Sequence, residues 1–217
     1  MAMHVLSFVT QKGGSGKSTT AASVAVAAWQ QGRRVFVLEL DRQGTLSEWY
    51  ESRPEGEGLD FEKIDASALD RAIPALREAG YGLVVIDTPG IDSPATNAAM
   101  RVADLCLIPC RPTAPDLKGC MSTVQTLIRL DKPFAFVLTQ CPPRSPRVDE
   151  TRAGLAALGL IAEPPIVSRT DHQDALAGGL GVTEFNSDGA AANEIRQLLG
   201  WIENKLEPKA KRHVKAA

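Results

Sequence analysis

Strand-length apolar runs alternate with helix-period segments along this chain, which predicts an α/β fold: a mostly parallel, twisted β-sheet flanked by helices on both faces. Three observations carry the prediction. Runs rich in Val, Ile and Leu recur at Val5–Val9, Arg34–Leu40, Gly82–Ile86, Asp104–Pro109 and Phe134–Leu138, and continuous apolar runs suit strands covered on both sides. Ala-rich or amphipathic segments separate them, as crossovers between parallel strands require. A glycine-rich stretch, Gly13-Gly14-Ser15-Gly16, follows the first run, at the carboxyl end of a strand, where such sheets bind ligands.

Taken in order, Val5–Val9 is the first strand, and the Ala-rich segment Thr19–Gln31 is a helix closed by Gly32. Arg34–Leu40 is the second strand and delivers Asp41-Arg42-Gln43-Gly44 ahead of a short helix, Thr45–Tyr50. Residues Glu51–Gly58 are charged and punctuated by Gly and Pro, which marks a surface loop before a short strand at Leu59–Ile64. Leu69, Ile73 and Leu76 share one face of a helix over Ala68–Arg77. Gly82–Ile86 is a buried strand ending in Asp87-Thr88-Pro89-Gly90. Ser93-Pro94 has the order of a cap and a first-turn proline, predicting a helix over Pro94–Arg101. After the strand Asp104–Pro109, the positions Leu117, Met121, Val124, Leu127 and Ile128 predict a core-facing stripe on a helix over Leu117–Leu130. Phe134–Leu138 is a strand, Leu160–Ser168 a last strand interrupted by Pro164 and Pro165, and Ala190–Leu206 a terminal helix with Ile195, Leu198, Leu199 and Ile202 on its apolar side. One domain over residues 1–206 with a basic tail over 207–217 follows.

The stretch Thr10–Thr20 reads as a phosphate-binding loop, because its strand, loop and helix context is the one such a motif requires. Gly13, Gly14 and Gly16 allow successive N–H groups to converge on phosphate oxygens at a helix N-terminus. Lys17 would reach the β- and γ-phosphates, and Ser18 would ligand Mg²⁺. The first glycine of the general pattern is replaced by Gln11, and a second lysine, Lys12, stands just before the glycines. An acid at the end of an apolar strand, Asp87, would hold the Mg²⁺ shell. Gly90 is placed where a switch segment could bond the γ-phosphate through its N–H. Asp41 ends the second strand; an acid there could orient an attacking water or cap the helix Thr45–Tyr50.

The run Lys12-Gly13-Gly14-Ser15-Gly16-Lys17-Ser18 resembles the deviant Walker A motif of the ParA/MinD group of P-loop ATPases, and most closely the short ParA-like partition and positioning type. The resemblance implies ATP and Mg²⁺ as cofactors, a nucleotide held by Gly13, Gly14, Ser15, Gly16, Lys17, Ser18 and Thr19, and a homodimer in the ATP state in which Lys12 crosses to the nucleotide of the other subunit. It makes Lys12, Lys17 and Asp41 the catalytic group, Ser18 and Asp87 the metal-binding pair, and Asp87 with Gly90 the switch. Glu39 and Arg42 depart from the family's D-x-D-P-Q signature, whereas Asp41 and Gln43 keep their places. The segment Arg111–Leu117 resembles the proline-containing segment at the family's dimer interface, and a rigid strand-to-helix turn is an equally good reading. No guanine-specifying N-K-x-D follows Phe134–Leu138; adenine is favoured, with Gln140 as a base contact.

Composition narrows the function. A length of 217 residues suits one domain with a sizeable core. The net charge of −2 rules out an overall basic nucleic-acid binder, so any DNA contact must come from a local patch. Residues Met1–His4 are too short and polar for a signal region, so a cytoplasmic protein is expected. Cys106, Cys110, Cys120 and Cys141 form no C-x-x-C pair, which points to structural thiols rather than an iron–sulfur centre. The resemblance implies a slow, partner-stimulated ATPase that binds DNA non-specifically and positions a plasmid, chromosome or other cargo through a separate ParB-like or adaptor protein. Candidate DNA contacts are Arg144, Arg147, Arg152, Arg196, Lys205, Lys209, Lys211, Arg212 and Lys215. A MinD-like membrane-surface switch is the alternative; the near absence of bulky apolar groups after Leu206 speaks against it.

Overall fold

A computed structural model describes residues 2–54 and 58–207. The strands β1 (His4–Phe8), β2 (Val35–Glu39), β3 (Asp60–Lys63), β4 (Leu83–Asp87), β5 (Leu105–Cys110), β6 (Phe134–Leu138) and β7 (Leu160–Ile161) form one sheet in the order β3-β2-β4-β1-β5-β6-β7. Every pairing is parallel, as predicted. The first strand therefore sits in the middle, and the ends of β2 and β4 stand on one side of it.

Strand alternation divides the core in two. On one face Leu6 and Phe8 of β1, Val85 of β4 and Val137 of β6 pack against α1 (Lys17–Gln30) and α9 (Ala190–Leu206). On the other, Val5, Val84 and Ile86 meet α3 (Leu69–Glu78) and α4 (Pro94–Val102), while Cys106, Ile108 and Phe136 meet α5 (Ala114–Arg129) and α6 (Pro146–Ala156). The small side chains of α1 let neighbours approach closely: a Cβ on Gly181 would lie 2.7 Å from Val26. Gly181 leads into α8 (Val182–Phe185), which follows α7 (Asp171–Ala177); the short α2 (Thr45–Glu51) lies beside β3. The Ser93 hydroxyl caps α4 by accepting from the Thr96 N–H at 3.2 Å, with Pro94 in the first turn.

Two expectations change. Met121 and Ile128 are exposed, at 37% and 63%, because α5 turns Cys120, Val124 and Leu127 inward instead. The last strand is only Leu160–Ile161, since Pro164 and Pro165 remove ladder donors; beyond the prolines, the Ile166 N–H donates to Leu138 O and a parallel bridge joins Cys141 to Val167. The four cysteines are buried free thiols. Among the described residues no helix is long and apolar enough to cross a membrane. Lys209, Lys211, Arg212 and Lys215 lie outside the described residues, as does the tail beyond Glu207.

Candidate nucleotide site

The glycine-rich loop links the end of β1 to α1. Gly14 and Gly16 have φ of +72° and +85°, a region open to glycine without strain. The loop is held from outside by β6: the Thr139 hydroxyl donates to Ser15 O at 2.7 Å and the Gln140 amide to Gly14 O at 2.9 Å. Gln140 thus supports the loop, and neither residue's loop contact is visible in the sequence, because each spans more than a hundred residues.

Lys17 is 7% exposed and has no ion-pair partner among the described residues. Burial pushes its ammonium below the ordinary lysine range, against the opposing pull of Asp87 and then Asp41. A buried cation of this kind calls for an anion. Asp87, at the end of β4, is fully buried; its Oδ2 accepts from the Ser18 hydroxyl at 2.6 Å and its Oδ1 has no partner among the described residues. Burial pushes its carboxyl up to about 7, although the Ser18 hydrogen bond and Lys17 oppose the shift. The two predicted metal-binding side chains are therefore in contact, and one of their oxygens is bare. Both are hard oxygen donors of the kind Mg²⁺ takes.

The Asp87–Gly90 turn lies directly on the loop. A Cβ on Gly90 would stand 3.0 Å from both Gly13 Cα and Gly13 N, so glycine allows this approach without a shift of the loop. The Thr88 hydroxyl donates to Phe8 O at 2.8 Å and ties the turn to β1.

At the end of β2, Asp41 is half-buried and accepts from the Gln43 N–H at 3.0 Å. It does not cap α2. Glu39 does, accepting from Leu46 N at 2.8 Å and Ser47 N at 3.1 Å. The cap that sequence reasoning offered to Asp41 belongs to its neighbour, and Asp41 remains at the site, close enough for Lys17 to feel its charge.

Lys12 is 30% exposed and bonds within its own chain: its Nζ stands 2.8 Å from Asp116 Oδ1. Arg111 Nε lies 2.8 Å from the other oxygen, and the Thr113 hydroxyl donates to the same carboxylate. Burial pushes Asp116 up, but the hydrogen bonds from Lys12, Thr113 and Arg111 outweigh it and hold the carboxyl below the usual range. Thr113 also caps α5, so Arg111–Leu117 forms the rigid strand-to-helix turn. Sequence reasoning missed Asp116; the spacing Thr113-x-x-Asp116 is a capping signature that could have drawn attention to it.

The basic candidates scatter. Arg144 and Arg147 are exposed at the start of α6 and have no ion-pair partner among the described residues. Arg152 pairs with Glu163 at 3.1 Å, Arg196 donates to Ser187 O at 2.7 Å, and Lys205 sits over the Trp201 ring.

The chain matches the family described as "CobQ/CobB/MinD/ParA nucleotide binding domain" over residues 6–216. It is 32% identical over 196 residues to the maintenance of carboxysome distribution protein A of Gloeobacter kilaueensis, covering 88% of this chain and 89% of that protein. It is 29% identical over 180 residues to protein ParA of Rhizobium radiobacter, covering 78% and 81% of the two chains. Among solved structures it is similar to the septum site-determining protein MinD of Pyrococcus horikoshii complexed with Mg-ADP, with a TM-score of 0.77 at 18% identity over 96% of this chain and 99% of the other. With the loop, the two strand-end acids and the all-parallel sheet in place, the chain belongs to the CobQ/CobB/MinD/ParA nucleotide-binding family as a P-loop ATPase of the ParA/MinD type.

Proposed function

We propose that this chain uses ATP and Mg²⁺ to dimerise, binds DNA without reading its sequence in that state, and positions a cargo in the cell, with hydrolysis releasing it. The observation that carries this reading is a buried lysine with no ion pair among the described residues, Lys17 of the Lys12-to-Ser18 loop, close to the β4 aspartate Asp87, whose Oδ1 has no partner among them. The names of the relatives, a carboxysome-distribution protein and a ParA protein, support the cargo role.

Hydrolysis of a phosphoanhydride asks mainly for positioning and charge neutralisation. The loop N–H groups and Lys17 hold the phosphates. Ser18 and Asp87 hold Mg²⁺, which when bound neutralises phosphate charge. Asp41 accepts a hydrogen bond from the water opposite the leaving group. Lys12 reaches the partner's nucleotide once it leaves Asp116, and Arg111 and Thr113 keep that carboxylate satisfied when it does. For DNA, Arg144 and Arg147 are the strongest of the described candidates because they are exposed and have no ion pair among the described residues. Dimerisation doubles every basic patch, and affinity from phosphate neutralisation rises steeply with the number of contacts.

Binding to random-sequence duplex DNA with ADP, ATP or a slowly hydrolysed ATP analogue tests this, beside Lys12→Ala and at rising salt. The expected result is binding with ATP or the analogue only, weakened by salt and lost in the variant. Absence of DNA binding in every nucleotide state overturns the DNA-tethered form, and ATP-dependent liposome binding would replace it with a membrane-surface switch.

A further inference from the structure

Glu39, at the carboxyl end of β2, is a buried carboxylate that the reaction above leaves unused. It has no exposed surface and no ion-pair cation among the described residues. A carboxylate in such a place is tolerated only when hydrogen bonds answer it. Its hydrogen-bond donors among the described residues come from the first turn of α2: Leu46 N at 2.8 Å, Ser47 N at 3.1 Å and Ser47 Oγ at 2.5 Å. Gly44, the residue before that helix, offers no side-chain cap of its own.

These bonds close a loop, and Asp41 is inside it. From Glu39 the chain passes through Asp41 to Thr45 and back, so the carboxylate fixes the two ends of the segment that presents Asp41. Lys63 of β3 braces the same segment by donating to Arg42 O at 3.0 Å. The far end of α2 is fastened as well: Trp49 Nε1 donates to Leu180 O at 3.1 Å, and Arg53, just beyond the helix, pairs with Glu184 at 2.8 Å. Asp41 therefore stands on a short segment with little freedom to shift, provided that Glu39 holds.

We propose that Glu39 is a positioning residue for hydrolysis: it clamps the start of α2 and so sets where Asp41 stands, without holding the metal. The proposal rests on the reading that Asp41 orients the attacking water. Glutamine at this position would turn an amide N–H₂ toward backbone donors, and aspartate would fall short by a methylene. Glu39 is thus fitted to the clamp in both charge and length.

Single-turnover ATP hydrolysis, Mg²⁺ titration and binding of fluorescent ADP, measured for Glu39→Gln, Ser47→Ala, the double variant and Asp41→Ala, test this. Glu39→Gln is expected to slow hydrolysis at least about tenfold, with ADP affinity within about threefold and an unchanged Mg²⁺ half-saturation. Ser47→Ala is expected to slow it about threefold, and the double variant to be no slower than Glu39→Gln, because both act through one contact. A raised Mg²⁺ half-saturation in Glu39→Gln would overturn the proposal in favour of a metal-shell role. So would unchanged hydrolysis in Ser47→Ala, a measurement that stands even if Glu39→Gln does not fold. Full hydrolysis by Asp41→Ala would instead break the assigned role of Asp41, which the other variants do not touch.

Discussion

The carboxyl ends of β2 and β4 lie side by side, with Glu39 and Asp87 in register, and each buries a carboxylate completely. At β2, donors of the next helix use both oxygens of Glu39, and the charge serves to hold a loop. At β4, one oxygen of Asp87 accepts from the Ser18 hydroxyl and the other has no donor among the described residues. The same chemical group has its acceptors filled at one strand end and one acceptor open at the other. Under the proposed reading, a cation bound beside the open oxygen would answer the charge that burial disfavours.

Replacing Asp87 sharpens the contrast most. Asp87→Asn keeps an acceptor for Ser18 but removes the buried charge, so hydrolysis is expected to fall at least about a hundredfold while the apoprotein melts a few degrees higher at pH 8. Calorimetry and a hydrolysis assay on the same preparation check both signs. A lower melting temperature would mean that the Asp87 charge is already answered, and the contrast with Glu39 would fail.

The pH response separates the two ends next. The Asp87 carboxyl is raised from 3.8 to about 7, so between those values the unfolded chain holds the charge more readily than the fold. The apoprotein is therefore expected to lose stability as pH rises through that window and to level off above it. Binding of Mg²⁺ with nucleotide needs the ionised form and is expected to weaken by up to about tenfold per unit below pH 7. Melting curves from pH 5 to 8 should fall with rising pH for the apoprotein and run nearly level with saturating Mg-ADP, and Asp87→Asn should remove the fall.

Each end also has a glycine, and these differ in kind. An alanine at Gly90 would place a methyl 3.0 Å from the Gly13 backbone, so the loop itself would have to shift. Gly90→Ala is expected to cut hydrolysis about tenfold by displacing the loop, at a cost to stability of about 1 to 2 kcal/mol. Gly44 has φ of +78°, and the atom nearest to an added Cβ is the Lys63 ammonium at 3.1 Å, the far end of a flexible side chain rather than backbone. Gly44→Ala should therefore cost only about 1 kcal/mol of stability and leave hydrolysis within about threefold. Equal activity losses in the two variants would mean that the β2 loop is as tightly seated on the site as the β4 turn.

Much of this was legible before any coordinates. The apolar runs mark strands buried on both faces, and Lys17, Ser18, Asp41 and Asp87 all sit where a strand of a parallel sheet ends. The stripe on α5 was misread because Leu117, Met121 and Val124 have helical spacing whichever way the helix is rolled; packing of Cys120, Val124 and Leu127 against β5 and β6 chooses the roll. The last strand was drawn too long because apolar content outweighed the missing proline donors.

The sequence by itself determined the fold class and the chemistry at the strand ends, because hydrophobic period, glycine conformation and donor type are local properties carried by short stretches. Tertiary structure alone decided which acid caps α2, that Lys12 rests on Asp116, that Thr139 and Gln140 hold the loop, and that one oxygen of Asp87 stays bare. Most of those outcomes depend on residues far apart in the chain meeting in space, and the cap on the number of donors that reach each buried oxygen. No local pattern encodes that supply.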